Sequence, residues 1–217
     1  MSLTLHFHPL SSFCHKVLIA LYENGTPFTP KLVDLGDAEQ RVAFHALWPV
    51  GKFPVLRDDA RGETVPESSI IIEYLDQHHP GKTRFIPQDR DEARVVRFGD
   101  RFYDLHVHLH MQKIVGDRLR PAGAKDPHGV ADARTRMAAA LALAEKQMAG
   151  RSWAMGESFT LADCAAAPAL FYADKVAPFA GTYPNLVAYL DRLKQRPSYA
   201  RVLQEAEPYF KFFPQES

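Results

Sequence analysis

The first 35 residues predict a strand, a helix and a second strand, in that order. Apolar and polar residues alternate over residues 3–8, and this period of two is typical of a strand. A helix is predicted over residues 11–24 with Gly25 as its stop signal, and a second strand over residues 28–35. Because a helical crossover joins parallel strands, the chain is predicted to open with a βαβ unit of a layered α/β domain.

The rest of the first half completes the order βαβαββα, which describes a small domain with a mixed sheet. The remaining elements are a helix over residues 37–47, strands over 54–57 and 63–65, and a helix over 67–79.

The second half of the chain predicts helices only, over residues 89–118, 130–148, from Leu161 onwards and over 184–194. Thr160 and Asp163 have the spacing of a capping box, which predicts the helix start at Leu161. Within residues 89–118, large apolar residues recur every three or four positions. They predict a stripe that packs into the core, formed by Val95, Phe98, Phe102, Leu105 and Leu109.

A proline- and glycine-bearing segment divides the two halves. Pro80 and Gly81 are predicted to end one helix, and Pro87 precedes the next. Residues 1–80 carry 6 basic and 10 acidic side chains, whereas residues 81–217 carry 20 and 16, so the charges are −4 and +4. We predict a first domain over residues 1–80, a linker over 81–87 and an all-helical domain over 88–217.

The composition excludes several classes of protein. The 26 basic and 26 acidic residues balance, whereas a nucleic-acid binder normally has a basic excess, so no nucleic-acid partner is expected. No apolar run approaches the ~18 residues that span a bilayer, so no membrane association is expected. Two cysteines cannot form a disulfide framework in a chain with this much apolar content, so reduced thiols and a cytoplasmic location are expected.

Ser11, Ser12 and Cys14 stand where the first predicted strand gives way to the first helix. The start of a helix offers unpaired N–H groups and the positive end of the helix dipole, which favour an anion such as a thiolate. A serine at this place can also be only an N-cap, and a lone cysteine can be only a small buried apolar residue. The local sequence alone leaves both alternatives open.

Two further segments carry unusual backbone signals. Residues 51–56 place Pro54 at the start of a strand, where a proline either ends a sheet edge or adopts the cis form. Glu67 and Ser68 follow a proline and begin the third predicted helix. Together with the first helix start, these segments bring an exposed strand backbone and two helix N-termini to one side of a small sheet.

With these segments in this order, the sequence resembles the cytosolic glutathione S-transferases over nearly its whole length. The matching motifs are SSFCHKV from Ser11, GKFPVL from Gly51, VPES from Val65 and TLAD from Thr160. The resemblance implies a thioredoxin-like N-terminal domain, a helical C-terminal domain, a homodimer, and glutathione as co-substrate with no metal. Ser11 is similar to the serine of the serine-type classes, theta- or zeta-like, although Phe13 stands where the isomerase-type class has cysteine.

The resemblance also implies roles for individual residues. Ser11 is expected to stabilise the glutathione thiolate, with Ser12 or Cys14 as the alternative contact to sulfur. A free thiol has a pKa of ~8.5, so the site has to favour the ionised form. The implied glutathione-binding residues are Glu39, Gln40, Lys52, Phe53, Pro54, Glu67 and Ser68. Lys52, with Glu39 or Gln40, is expected near the glycine carboxylate, and Glu67 with Ser68 at the γ-glutamyl end.

A pocket for an apolar second substrate is expected between the sheet and the helix predicted over residues 89–118, called the long helix below. Its predicted lining is Phe13, Tyr103, His106, Val107, His110 and Phe212. The alternation of histidines from His106 to His110 also suggests a metal site. Only two of them share a helix face, however, and no carboxylate or cysteine completes a ligand set, so a pocket or solvent role is expected.

The predicted function is conjugation of glutathione to small apolar electrophiles, a detoxification reaction. Three alternatives remain: glutathione-dependent isomerisation, thiol–disulfide exchange through Cys14, and a non-catalytic binding or scaffold protein of the same fold.

Overall fold

The structure is a computed structural model that describes residues 2–216. In chain order its elements are β1 (Leu3–Phe7), α1 (Ser12–Asn24), β2 (Thr29–Leu32), α2 (Ala38–Leu47), β3 (Val55–Asp58), β4 (Glu63–Pro66), α3 (Ser68–His78), α4 (Arg90–Phe102), a π-helical segment (Tyr103–His108), α5 (Leu109–Arg118), a 3₁₀ turn (Ala122–Ala124), α6 (Pro127–Met148), α7 (Leu161–Val176), α8 (Pro184–Gln195), α9 (Pro197–Ala206) and a final 3₁₀ segment (Glu207–Phe212).

The four strands form one mixed sheet in the order β2-β1-β3-β4. β1 pairs in parallel with β2 and antiparallel with β3, which pairs antiparallel with β4. The predicted βαβαββα order and the helical second half are therefore confirmed. β2 is shorter than the predicted residues 28–35 because its residues Thr29–Leu32 pair with Thr4–Phe7, and β1, its only neighbour in the sheet, ends at Phe7.

Helix α1 packs against α3 of the sheet half and against α7 and α9 of the helical half. Ten of its 13 residues are buried, and four of these are polar or charged. Because a buried polar group without a partner is destabilising, each of the four needs a nearby acceptor or donor. The four are Ser12, His15, Lys16 and Glu23. The partners of Ser12 and Lys16 belong to the site described below, whereas His15 bonds the carbonyl of Pro9 and Glu23 pairs with Arg196.

The helical half is fixed to the sheet half through the segment between α3 and α4. The Asn24 side chain donates to the carbonyl of Thr83 at 2.9 Å and accepts from its N–H at 2.8 Å.

Helix α7 begins at Leu161, as predicted, and the Asp163 carboxylate accepts from the N–H of Thr160 at 2.8 Å. No helix among residues 2–216 is both long enough and apolar enough to cross a membrane.

The predicted core stripe of the long helix is wrong. Only Phe102 is buried; the exposed fractions of the others are 44% for Val95, 59% for Phe98, 46% for Leu105 and 53% for Leu109. The buried face of α4 consists instead of Ala93, Val96, Gly99, Asp100 and Phe102. The neighbouring helix α7 comes close at the glycine: a Cβ on Gly99 would lie 2.9 Å from the Cβ of Ala162. Beyond Phe102 the π-helical segment adds a residue to the turn, so one 3.6-residue period does not continue through it.

Candidate active site

Two cavities adjoin at the first turn of α1, and Phe53 and Gln112 line both. The polar cavity, of about 250 Å³, has charged groups in its wall and is lined by Phe13, Lys52, Phe53, Pro54, Glu67, Ser68, Arg101, Asp104, Leu105, Leu109 and Gln112. The apolar cavity, of about 440 Å³, is lined by Leu10, Ser11, Ser12, Phe53, Met111, Gln112, Val115, Gly116, Leu119, Tyr172, Phe212, Phe213 and Pro214.

Ser11 is the N-cap of α1 and faces the apolar cavity. Its backbone is extended, with φ −74° and ψ 114°, and its Oγ accepts from the N–H of Cys14 at 3.4 Å. Because a serine hydroxyl both accepts and donates, this cap leaves the hydroxyl proton free for another acceptor. Ser11 is half-buried, so its hydroxyl remains accessible from the cavity.

Ser12, the next residue, is almost completely buried and contacts a histidine of the helical half. Its Oγ lies 2.7 Å from Nε2 of His108 in the π-helical segment. The imidazole of His108 also stacks on the ring of Phe13, with centroids 4.3 Å apart and planes at 17°. Burial, and then the charge of Lys16, lower the pKa of His108 to about 3, so the ring is neutral at physiological pH.

The thiol of Cys14 is fully buried, in contrast to the two serines. Burial raises its pKa to about 12, although the nearby Ser11 side chain opposes the shift. The thiolate is the reactive form of cysteine, so this side chain is neither ionised nor accessible. Both Cys14 and Cys164 are free thiols.

The backbone before β3 borders both cavities. The Phe53–Pro54 peptide bond is cis, which is one of the two forms expected for Pro54. The Phe53 ring stacks on His8, with centroids 6.0 Å apart, and Lys52 beside it is exposed. Phe53 therefore forms part of the wall shared by the two cavities.

The N-terminus of α3 forms one end of the polar cavity. Glu67, its N-cap, has φ 69° and ψ 118°, a left-handed conformation that costs about 1–3 kcal/mol in a residue other than glycine. Ser68 follows it in a buried position. The first N–H groups of a helix lack intrahelical acceptors, so this end of the cavity suits a carboxylate.

A buried charge cluster lies behind this helix end and connects the two halves. Lys16 of α1 forms ion pairs with Asp100 and with Asp104, the latter at 2.8 Å, and donates to Oγ of Ser69 at 2.8 Å. Arg101, half-exposed, pairs with both carboxylates at 2.8 and 2.6 Å. Burial raises the pKa of Asp104, although Lys16 opposes the shift. We refer to these five residues as the Lys16 cluster.

Several residues singled out from the sequence lie away from the two cavities. Glu39 and Gln40 line a different cavity beside β2, and Gln40 accepts from the N–H of Asp34 at 3.1 Å. The predicted helix face is also placed elsewhere, because the π-helical segment changes the register: Tyr103 and Val107 are buried in the core, His106 is exposed and His110 partly exposed. Phe13 and Phe212 do line the polar and the apolar cavity, respectively.

Sequence reasoning missed the residues that the long helix does contribute. From the π-helical segment into α5, five of them recur at spacings of three and four: Leu105, Leu109, Gln112, Gly116 and Leu119. Val115, next to Gly116, also lines the apolar cavity. The spacing of the five residues places them on one face of a helix, but the sequence alone does not distinguish a face that lines a cavity from one that packs into the core. Among residues 2–216, no group of three or more His, Cys, Asp or Glu side chains is placed to hold a metal ion.

Comparison with known proteins gives a consistent result along the chain. The profile "Glutathione S-transferase, N-terminal domain" matches residues 5–83, and "Glutathione S-transferase, C-terminal domain" matches residues 127–192. The chain is 33% identical over 163 residues to the glutathione S-transferase-like protein LUC7 of a Fusarium species, which covers 73% of this chain and 71% of that protein. Glutathione S-transferase GstB of Escherichia coli is 26% identical, over 87% of this chain and 91% of that one.

Solved structures agree with the sequence comparisons. A glutathione S-transferase from Methylobacillus flagellatus with glutathione bound has a TM-score of 0.85 and 29% identity, over 93% of this chain and 98% of that chain. One from Methylobacterium radiotolerans, in complex with glutathione sulfonate, has a TM-score of 0.81 and 28% identity, over 92% and 93%. By its matched domains, its relatives and its fold, the chain belongs to the glutathione S-transferase family.

Proposed function

We propose that this transferase joins the thiolate of glutathione to small apolar electrophiles, with Ser11 stabilising the thiolate. The observation that carries the proposal is the meeting of a polar and an apolar cavity at the first turn of α1. A peptide thiol in the one and an apolar substrate in the other bring their reacting atoms together beside Ser11. This arrangement supplies proximity and orientation, which are a large part of the catalysis of a two-substrate reaction.

In the proposed complex, glutathione occupies the polar cavity. Its γ-glutamyl carboxylate lies at the N-terminus of α3 beside Ser68, and its ammonium group lies beside Glu67. The cysteinyl part pairs with the backbone of Phe53 next to Pro54, as an added strand does. Lys52, exposed at the same wall, pairs with the glycine carboxylate.

The sulfur then lies at the N-terminus of α1. The Ser11 hydroxyl donates to the thiolate, and the unpaired N–H groups and dipole of the helix stabilise the same charge. Ser11 is the more accessible of the two serines at this place. With a chlorinated nitroaromatic, the thiolate forms a carbon–sulfur bond while the carbon–chlorine bond breaks and chloride leaves with the electron pair.

Two measurements test this function. Calorimetry is expected to show glutathione binding, and absorbance is expected to show conjugation of a chlorinated nitroaromatic or an isothiocyanate. A protein that binds no glutathione would instead fit the scaffold alternative. Thiol–disulfide exchange through Cys14 is disfavoured because the Cys14 thiol is buried. Glutathione-dependent isomerisation is the second candidate, because it requires the same glutathione thiolate at this site.

The apolar cavity can be narrowed without disturbing the glutathione end. A Cβ on Gly116 meets nothing within 4 Å, so Gly116→Leu extends into the cavity from α5. We expect kcat/KM for a bulky electrophile to fall about tenfold, since pocket contacts of one or two methylenes are worth about that much. The Kd of glutathione is expected to stay unchanged.

The matched control is Gly123→Leu, because that Cβ also meets nothing within 4 Å but the residue does not line the cavity. A loss of activity equal in both variants would contradict the assignment of the cavity.

We also propose that the protein is a homodimer through the exposed apolar side chains of α3 and the long helix. Ile70, Val95, Phe98 and Leu105 are exposed there, although large exposed apolar patches are rare on monomers. The chain's opposite domain charges, −4 and +4, favour packing of one subunit's first domain on the other's second.

Phe98→Glu places a charge in the middle of this surface and is expected to halve the mass measured by light scattering. Val42→Glu, at an apolar residue that is 70% exposed on α2, is the control and is expected to leave the mass unchanged. A wild-type protein that is already monomeric at micromolar concentration would contradict the dimer.

Three remaining expectations are proposals of the same kind. The domain division at residues 81–87 is supported by the anchored segment between α3 and α4. A cytoplasmic location is supported by the two free cysteines. A detoxification role follows if the electrophiles are as apolar as the cavity wall.

A further inference from the structure

His108 is a buried histidine of the helical half that contacts the first turn of α1 at two points. Its Nε2 lies 2.7 Å from Oγ of Ser12, and its ring stacks on Phe13. Ser12 in turn lines the apolar cavity together with Ser11. A polar chain therefore runs from the interior of the π-helical segment, through Ser12, to the place where the proposed function puts the sulfur of glutathione.

We propose that His108 is a positioning residue that turns Ser12 into a second hydrogen-bond donor to the glutathione thiolate. In this arrangement Nε2–H of His108 donates to Oγ of Ser12, and the Ser12 hydroxyl donates to the sulfur. The inference rests on the proposed glutathione site and adds to it a donor relay that crosses the domain interface.

The chemistry of the two groups allows this direction. A neutral imidazole has one nitrogen that donates and one that accepts, and a serine hydroxyl both accepts and donates. When His108 donates to Ser12, the hydroxyl proton of Ser12 is left for a third group. An anion at the cavity end selects this direction, because hydrogen bonds in a chain strengthen one another when they point the same way.

The surroundings of His108 keep it neutral and fixed. Lys16 and His15 are the charged and titratable groups that act on it, and both, after burial, lower its pKa. Stacking on Phe13 fixes the ring plane, and the π-helical segment holds its backbone. The relay therefore works through a neutral imidazole. Since His108 does not change its protonation state near neutral pH, it adds no ionisation of its own to the pH profile there.

The experiment compares His108→Phe, Ser12→Ala and the double variant by the pKa of the bound glutathione thiol, followed through the ultraviolet absorbance of the thiolate. Phenylalanine keeps the stack on Phe13 and removes the nitrogen. We expect the thiol pKa to rise by about one unit in each single variant, a tenfold smaller thiolate fraction below the pKa. The double variant is expected to show the same rise and no more, because both substitutions interrupt one chain.

His108→Gln is expected to recover part of the shift, since its amide can still donate to Ser12. His106→Phe, the same substitution on the exposed side of the same segment, is expected to leave the thiol pKa unchanged. Additive effects of His108→Phe and Ser12→Ala, or an unchanged thiol pKa in folded His108→Phe, would overturn the relay.

Calorimetry separates this inference from the function on which it rests. Failure of the wild type to bind glutathione overturns the proposed function itself. The relay alone is overturned by a different result. In that case the wild type binds glutathione with a low thiol pKa, Ser11→Ala raises this pKa, and His108→Phe leaves it unchanged.

Discussion

Ser11→Ala is expected to lower kcat/KM for conjugation about 10²-fold, because removal of one preorganised donor to a developing or stabilised anion costs about 10²–10³ in rate. The loss is expected to be largest well below the pKa of the bound thiol and to shrink at alkaline pH, where glutathione ionises without help. Measurement of kcat/KM against pH with a chlorinated nitroaromatic tests this. A profile that stays parallel to that of the wild type would show that Ser11 does not act on the thiol.

The second role of Ser11, as the N-cap of α1, has to be separated from the first. Loss of a serine N-cap by alanine lowers helix stability by about 1 kcal/mol, whereas glycine at an N-cap costs only a few tenths. Ser11→Gly is therefore expected to lose the same activity with a smaller change in unfolding free energy. The control is Asp37→Ala, which removes the N-cap of α2. The Asp37 side chain accepts from the N–H of Gln40 at 2.9 Å, so its loss is expected to lower stability without affecting the thiol pKa.

The sequence contained enough information to place most of the backbone. Alternation over residues 3–8, the stop at Gly25 and the motif around Thr160 each report a local preference, and the structure has β1, the end of α1 and the start of α7 at those places. The two helix starts at Ser11 and Glu67 were visible for the same reason, since capping is a local interaction.

The faces of the long helix were not predictable from hydrophobicity. Pattern analysis ranks Phe98 above Gly99, but close helix packing selects the glycine and leaves the phenylalanine exposed. The π-helical segment then displaces Tyr103 and Val107 from the cavity into the core. A local sequence window cannot show either effect, because both depend on which helix lies opposite.

The polar partners of buried groups were also hidden from the sequence. Ser12 and His108 are 96 positions apart, and Lys16 and Asp104 are 88 apart. Only the docking of the helical half onto α1 makes them neighbours. A serine and a lysine in the first helix gave no sign that their hydrogen-bond and ion-pair partners lie in the helical half of the chain.

The buried position of Lys16 makes it the residue whose loss is expected to destabilise the protein most. Lys16→Met removes one positive charge and leaves Asp100 and Asp104 buried, with the half-exposed Arg101 as their remaining cation. Breaking a buried ion pair on one side costs about 3–5 kcal/mol of unfolding free energy, because a charge is left without compensation. Urea denaturation of wild type and variant measures the difference.

The loss of unfolding free energy in Lys16→Met is expected to depend on pH. Burial already raises the pKa of Asp104, and removal of Lys16 raises it further. A folded-state pKa above the unfolded value stabilises the protein below the unfolded pKa, and this contribution disappears as pH rises through the folded value. Lys16→Met is therefore expected to be most destabilising at neutral and alkaline pH and less so at mildly acidic pH, where protonation of Asp104 relieves the unpaired charge.

Lys113→Met is the matched control, because Lys113 also pairs with an aspartate, Asp126, but both side chains are about one-third exposed. Solvent screens such a pair, so a much smaller and nearly pH-independent change is expected. Adding Asp104→Asn to Lys16→Met removes a charge that Lys16 no longer balances and is expected to recover part of the lost stability. Two outcomes would contradict a stabilising role of charge in the Lys16 cluster. One is a double variant less stable than Lys16→Met, and the other is an equally small loss of unfolding free energy in Lys16→Met and Lys113→Met.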